Sequence, residues 1–109
     1  MIARIWRGVV KPDDATAYLA YLHLTGVPGY RATPGNLGVT ILQREIEQGV
    51  EFTTLTFWES MEAIKAFAGD DPEIARYYPE DDQFLLTREH RVEHFEVPFT
   101  DLQMLPPRT

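Results

Sequence analysis

Apolar residues are spaced along this chain in a way that predicts four strands. Residues 2–10 are dense in Ile, Trp and Val, and both faces of the strand they predict carry apolar side chains. Residues 37–47 and 50–58 predict a hairpin that turns near Gly49, because glycine supplies the positive φ that such a turn favours. Residues 88–97 alternate between two strongly charged faces, which predicts an edge strand.

Two stretches show the spacing of amphipathic helices. Residues 12–26 begin with proline and two aspartates and carry an apolar stripe, and residues 60–69 begin with a capping serine and end at a glycine. Between them, residues 25–36 contain three glycines and two prolines, which predicts a loop of ordered turns and no further helix. Residues 70–77 predict a short helical piece, and residues 80–85 a last helical turn. The stripe of the first helix consists of Ala15, Tyr18, Leu19, Leu22 and Gly26.

The resulting β-α-β-β-α-β order predicts the ferredoxin-like α+β fold, an antiparallel four-stranded sheet with two helices on one face. We expect one domain over residues 1–97 and an extended tail over residues 98–109. Two helices cover only one face, yet apolar residues occupy both faces of the sheet. The second face is therefore expected to meet a second copy of the chain in a two-fold homodimer.

Composition and charge argue against several classes of protein. The 109 residues include 17 acidic and 10 basic ones, a net charge of −7, which repels nucleic-acid phosphates. The chain has no cysteine, hence no disulfide, thiol nucleophile or thiolate metal site, and an intracellular address is expected. No apolar run approaches the length of a signal peptide or a membrane span, so we expect a cytoplasmic protein without a membrane partner.

Neither a metal nor a nucleotide cofactor is predicted. The segment from Glu59 to Asp82 holds eight acidic and two basic residues, but its carboxylates follow helix starts and turns, where helix dipoles and solvation account for them. The glycines do not form a phosphate-binding motif after a strand.

Trp58, Thr54 and Thr56 share one face of the second hairpin strand and are the first candidates for a binding site. Two threonines beside a tryptophan would line a partly polar pocket for a small apolar or aromatic molecule. Alternatively, the indole packs under the following helix and the threonines hydrogen-bond across strands. The other candidates for contact with a ligand are Trp6, Tyr18 and Phe67.

Histidines and arginines supply the titratable and charged candidates. His23, at the edge of the first helical stripe, and His94 are candidate bases because imidazole titrates near neutrality, although both also fit ordinary boundary or surface positions. On a strand, His90 and His94 are about 13 Å apart, too far to share one metal ion. Arg4 and Arg7 would either bind an anionic substrate or pair with the surplus of acidic residues.

Over residues 2–97 the chain resembles the antibiotic biosynthesis monooxygenase family of dimeric α/β barrels. The resemblance implies a homodimer formed by stacked sheets and a small apolar pocket between sheet and helices in each subunit. It rests on Phe57-Trp58-Glu59-Ser60 running into the helix to Gly69, on Tyr77-Tyr78-Pro79-Glu80-Asp81, on Phe84-Leu85-Leu86 and on the closing stretch from Val92 to Val97.

The family's cofactor-free oxygenases oxidise polycyclic phenols to quinones without metal or flavin, so the substrate itself supplies the electrons. Trp58 matches their strand-end tryptophan, but Thr54 stands where they place an asparagine. The haem-degrading branch expects an axial histidine ten residues after the tryptophan, and here that residue is Ala68, which disfavours haem degradation.

Two hypotheses for function follow. In the first, the chain is a cofactor-independent monooxygenase for an aromatic or quinol-like metabolite, with Trp58 as pocket wall, Thr54 as donor and His23 or His94 as base. In the second, it is a non-catalytic small-molecule-binding or assembly module of the same fold. The first hypothesis requires a pocket of about 300 Å³ or more beside Trp58.

Overall fold

The predicted hairpin and first strand form the centre of an antiparallel sheet. The computed structural model describes residues 1–102. Its elements are, in chain order, β1 (Ile2–Val10), a 3₁₀ turn (Pro12–Asp14), α1 (Ala15–Leu24), α2 (Gly26–Ala32), β2 (Asn36–Ile46), β3 (Gly49–Trp58), α3 (Met61–Ala68), α4 (Asp81–Phe84), β4 (Leu85–Arg88) and β5 (Glu93–Glu96). The strand order is β2-β3-β1-β4, and β5 also pairs with β1. This is the ferredoxin-like α+β arrangement, with an interrupted fourth strand.

The predicted edge strand over residues 88–97 is divided into β4 and β5. The register of β4 on β1 shifts between Val9 and Val10, and the chain leaves the sheet after Arg88. There the backbone pairs elsewhere, because the Val92 amide donates to the Glu73 carbonyl at 2.7 Å. The Ala75 amide donates in turn to the carbonyl of His90.

The same pairing overturns the predicted helical piece over residues 70–77. Ile74 forms an isolated antiparallel bridge with Arg91, and the segment between α3 and α4 has otherwise only turns and irregular backbone. Backbone groups of this segment form hydrogen bonds with residues that are distant in sequence. Helix start and stop residues carry no information about such a distant partner.

The loop predicted for residues 25–36 is also wrong, since α2 occupies most of it. Pro28 is the third residue of α2, where its missing N–H costs little because the first amides of a helix lack intrahelical acceptors. Gly29 allows α2 to approach the segment before α4, because a Cβ there would lie 2.5 Å from the Tyr78 hydroxyl oxygen. The helix places Val27 and Tyr30 over the sheet, where both are buried.

Helix α3 begins and ends as predicted. The Ser60 hydroxyl accepts a hydrogen bond from the Ala63 amide at 3.2 Å, and Gly69 ends the helix with a φ of 100°. Ile64 and Phe67 are the buried residues of this helix.

The core lies on the helix-covered face of the sheet, in two clusters. One joins β1, β3 and α1 around Trp6, Tyr18 and Phe52, and the other contains Trp58 and Phe67. On the opposite surface of the sheet, the open face, the register aligns side chains that no helix covers. Its large apolar members are Ile5, Leu42, Leu55, Phe57 and Phe95.

Within residues 1–102, no helix is both long and apolar enough to cross a membrane. Of the predicted tail, residues 98–102 have no regular structure and residues 103–109 lie outside the described part.

Candidate functional site

A small cavity lies between the helix-covered face of the sheet, helices α1 and α2, and the irregular segment that precedes α4. Its volume is about 30 Å³, enough for about one water molecule. We call residues 75–80, which close it, the roof. The lining residues are Arg4, Trp6, Tyr18, Leu22, Gly26, Val27, Tyr30, Ile41, Thr54, Ala75, Arg76, Tyr77, Tyr78 and Asp81.

Aromatic hydroxyls give the cavity its polar lining. The Tyr30 hydroxyl and the Thr54 hydroxyl oxygens lie 3.4 Å apart, a hydrogen bond in which either is the donor. In the roof, the Tyr77 hydroxyl accepts from the Trp6 indole N–H at 3.0 Å and donates to the Glu89 carbonyl. Burial raises the pKa of Tyr18 far above its usual range, and the charge of Asp81 raises it further. The phenols therefore remain protonated and able to donate.

One carboxyl lies among these phenols. Asp81 is only 5% exposed, and its Oδ2 accepts from the Tyr78 amide at 2.6 Å. Burial raises the pKa of Asp81, while that hydrogen bond and the charge of Arg88 act in the opposite direction. A carboxylate whose pKa is raised is a stronger base than one in water.

A buried guanidinium completes the lining. Arg4 is 3% exposed, and its Nη2 donates to the carbonyls of Pro72 and Ile74 at 3.4 and 3.3 Å. Its charged group also lies 5.8 Å from the centroid of the Phe67 ring. Burial lowers the pKa of Arg4, because this environment disfavours the charged form of the guanidinium.

Four of the candidates predicted from the sequence line the cavity: Arg4, Thr54, Trp6 and Tyr18. The expected hollow beside Trp58 is filled with side chains, since the indole is 0% exposed and its ring contacts Tyr30 and Phe67. Thr56 is buried as well, accepting from the Trp58 indole at 2.8 Å. Three predicted candidates therefore belong to the packed core beside the cavity and do not line it: Trp58, Thr56 and Phe67.

Neither candidate histidine lines the cavity. His23 is exposed at the outer surface of α1. His94 is half-buried in an open depression near Lys65 and Glu73, and its Nε2 has no hydrogen-bond partner among the described residues. His90 is exposed, and no group of three or more His, Asp or Glu side chains within residues 1–102 is arranged to hold a metal ion.

His94 gives the fold a measurable pH dependence. Burial lowers its pKa, the charge of Arg4 lowers it further, and Glu73 opposes the shift. The folded state thus favours the neutral ring, so this stabilisation is present above the unfolded pKa of about 6.5 and is lost as pH falls through the lowered folded value. Between pH 7 and pH 5, urea unfolding should show a larger loss of stability for the native protein than for His94→Gln. The exposed His90→Gln variant should follow the native protein, and parallel curves for all three proteins would contradict this assignment.

Sequence reasoning missed much of the cavity. Arg4 was considered for anion binding, but Tyr30, Arg76 and Asp81 were not singled out as site residues. The family resemblance was the one signal in the sequence for part of this set, because the motif that carries it includes Tyr77, Tyr78 and Asp81. Nothing local indicates that Asp81 is buried, because carboxylates at helix starts are common on the surface.

Sheet, helices and cavity together define a small α+β domain with a candidate site between its two layers. Residues 1–72 match the family model described as antibiotic biosynthesis monooxygenase, and the chain belongs to this family. The match covers β1 to α3, and therefore the cavity floor and both flanking helices. The roof and Asp81 lie beyond it.

Solved structures share the fold at low sequence identity. Rv0793 from Mycobacterium tuberculosis is 23% identical, with a TM-score of 0.63 over 93% of this chain and 98% of that one. PA3566 from Pseudomonas aeruginosa is 17% identical, with a TM-score of 0.62 over 86% of this chain and 90% of that one. The heme-degrading protein Rv3592 from Mycobacterium tuberculosis is 23% identical, with a TM-score of 0.53 over 92% and 98%. No curated protein matches the chain.

The cavity residues do not fit haem. No histidine is among the lining residues, and the place of the axial histidine expected from the resemblance is held by Ala68.

Proposed function

We propose that the chain binds a small aromatic metabolite in the cavity and oxidises it with dioxygen, without a bound cofactor. The observation that carries this proposal is the placement of one buried carboxyl, Asp81, among tyrosine side chains that line a cavity in a monooxygenase-family fold. Trp6 and Tyr18 are the proposed contacts of the substrate ring, and Thr54 supports the Tyr30 hydroxyl as a donor.

The proposed base is Asp81, in place of His23 or His94, which were the candidate bases in the sequence. It accepts a proton from an acidic C–H or O–H of the substrate, and the resulting anion reduces dioxygen. One oxygen atom enters the substrate, and the other leaves as water with two hydrogens from the substrate. The protonated phenols of Tyr18 and Tyr30 supply hydrogen bonds to the reduced oxygen as charge develops on it.

The cavity, at about 30 Å³, does not reach the volume of about 300 Å³ that this function requires, so the roof has to move for an aromatic substrate to enter. The roof has one backbone hydrogen bond to a distant segment of the described chain, from the Ala75 amide to the His90 carbonyl, and its other contacts involve side chains. The Glu80 amide donates to the Tyr21 hydroxyl at 3.0 Å, and Tyr77 contacts Trp6 edge to face and is hydrogen-bonded to it and to the Glu89 carbonyl. The Arg76 guanidinium stacks over Tyr78 and Phe67 from outside. Segments with few backbone hydrogen bonds open at low free energy, which suits an entry route.

Oxygen uptake tests this function. The native protein is incubated aerobically with a panel of anthrones and quinols, and Asp81→Asn is expected to consume oxygen about 10² to 10⁴-fold more slowly because it lacks the base. Asp13→Asn is the matched control, since Asp13 is an exposed carboxylate of the 3₁₀ turn and does not line the cavity. Absence of uptake above the uncatalysed rate, or equal rates for native protein and Asp81→Asn, would contradict the proposal.

A non-catalytic binding module is the second candidate. The size of the closed cavity and Thr54 in the place of the oxygenases' asparagine favour it. Saturable binding of an anthrone without oxygen uptake would decide for this alternative.

The open face supports a homodimer as the functional unit. Helices cover the other face only, and Leu42 and Phe95 are about half exposed on this one. Ion pairs flank the apolar residues, Arg7 with Glu93 at 3.0 Å and Arg44 with Glu51 at 2.8 Å. An apolar centre with a polar margin is the pattern of a two-fold interface, and the proposed partner is a second copy of the chain.

A further inference from the structure

A buried cation without a protein counter-charge lies at the cavity floor. Arg4 is 97% buried, yet the ion pairs among the described residues involve Arg7, Arg44, Arg88 and Arg91 and not Arg4. Its two hydrogen bonds to the carbonyls of Pro72 and Ile74 are long, and its Nε has no partner among the described residues. Leaving a charge buried and unpaired is strongly unfavourable, and this chain has 17 acidic residues that could have paired with it.

A second donor without a partner belongs to the same cavity. The buried hydroxyl of Tyr78, in the roof, has no hydrogen-bond partner among the described residues. Arg4 lies on β1 and Tyr78 on the opposite wall, so the two unused groups come from independent elements that enclose one space. The protein therefore leaves two donors unsatisfied where a ligand would lie.

We infer that the cavity selects an aromatic monoanion already ionised at neutral pH, such as an aryl carboxylate, whose negative oxygens accept hydrogen bonds from Arg4 Nε and the Tyr78 hydroxyl. This inference rests on the proposed function, because the ligand occupies the same cavity. It adds the charge of the substrate, which neither the fold nor the aromatic lining specifies.

The local field is consistent with an anion despite the net charge of −7. Arg4 supplies a positive charge in a water-poor site, where an ionic hydrogen bond is stronger than at the surface. The one carboxyl of the lining is Asp81, and the charge of Arg88, which is ion-paired with the exposed Asp82, acts to lower its pKa. Among the described residues no ion pair joins Arg4 to Asp81, so Arg4 is left for the ligand anion.

Binding of two matched probes tests the inference. Isothermal titration of the full chain with 2-naphthoate and with the neutral 2-naphthylmethanol should show the carboxylate binding about 10- to 100-fold tighter, the range of a hydrogen bond to a charged group. Arg4→Met, which keeps an unbranched side chain without charge, should remove this preference, so that the two probes bind with affinities within about threefold of each other. Arg31→Met, an exposed arginine on α2, is the matched control and should keep the preference.

Thermal unfolding without ligand separates this role from a structural one. If Arg4 awaits an anion, Arg4→Met should keep or raise the melting temperature, because it removes an unpaired buried charge. If Arg4 serves only to hold the carbonyls of Pro72 and Ile74, the melting temperature should fall with the probe preference unchanged, which overturns the inference. Should Arg4→Met fail to fold, Tyr78→Phe carries the test, and a loss of affinity for 2-naphthoate alone is expected.

Failure of this inference is distinguishable from failure of the proposed function. Equal affinity for the two probes, or binding of neither, overturns anion selection, while oxidation of anthrones in the uptake assay would still support the oxygenase. A strong carboxylate preference without any oxygen uptake supports anion selection in a binding module and removes the oxygenase.

Discussion

Replacing Trp58 with alanine should lower the free energy of unfolding by about 3 to 5 kcal/mol, the range for removing a large aromatic side chain from a packed core. The indole is fully buried, with ring centroids 6.2 Å from Tyr30 and 5.7 Å from Phe67. Its N–H donates to the Thr56 hydroxyl, which donates in turn to the Arg4 carbonyl on β1. The substitution thus removes packing against α2 and α3 together with a link between β3 and β1.

Urea unfolding measures this loss, at one fixed protein concentration because the proposed dimerisation would couple stability to concentration. Trp58→Phe should lose less than Trp58→Ala, since it keeps most of the ring. Phe99→Ala removes an aromatic ring that is 78% exposed and should stay within about 0.5 kcal/mol of the native protein. A loss below about 2 kcal/mol for Trp58→Ala would mean that the indole borders empty space, contrary to the packing described.

The elements that the sequence predicted correctly are those specified by neighbouring residues. The strand over residues 2–10 and the hairpin at Gly49 follow from alternating apolar positions and a turn residue. Ser60 and Gly69 bound α3 through a capping hydrogen bond and a positive φ that act within one turn. Such interactions are encoded locally and can be read without knowledge of the fold.

The elements that were missed depend on contacts distant in sequence. Helix α2 forms despite Pro28 because that proline falls in its first turn, a position that a count of glycines and prolines does not reveal. The segment over residues 70–77 is not helical because residues 73–75 pair with residues 90–92. The spacing of apolar residues carries no information about the position of Pro28 within a helix or about a pairing between distant segments.

The candidate site was predicted only in part, for the same reason. Thr54, Trp6 and Tyr18 lie on elements with regular spacing, so the face each one occupies could be inferred. Tyr78 lies in the irregular roof and Asp81 at the start of α4, and the course of the chain that brings both to the cavity lies about 70 residues beyond β1. The sequence left open whether Trp58 lines a pocket or packs in the core. It packs in the core, where its indole contacts Tyr30, a residue of the helix α2 that was not predicted.

Replacing Leu55 with aspartate should convert a dimer into a monomer. Leu55 is central on the open face, where its β3 position pairs with Ile5 on β1 and Thr40 on β2. In a two-fold interface each substitution occurs twice, so two carboxylates would lose water near the axis without a cation to pair with. Light scattering at micromolar concentration should give twice the chain mass of 12.5 kDa for the native protein and 12.5 kDa for the variant.

The matched control for this change is Leu24→Asp. Leu24 is 79% exposed on α1, outside the open face, so the same substitution should leave the dimer intact. Circular dichroism should show equal secondary structure in both variants, because the helix-covered core that holds the fold together contains neither leucine. A native protein that already runs at 12.5 kDa would leave the apolar residues of the open face in water and would contradict the homodimer. A dimer that survives Leu55→Asp would place the interface on another surface, because aspartate at the centre of stacked sheets cannot be accommodated without loss of affinity.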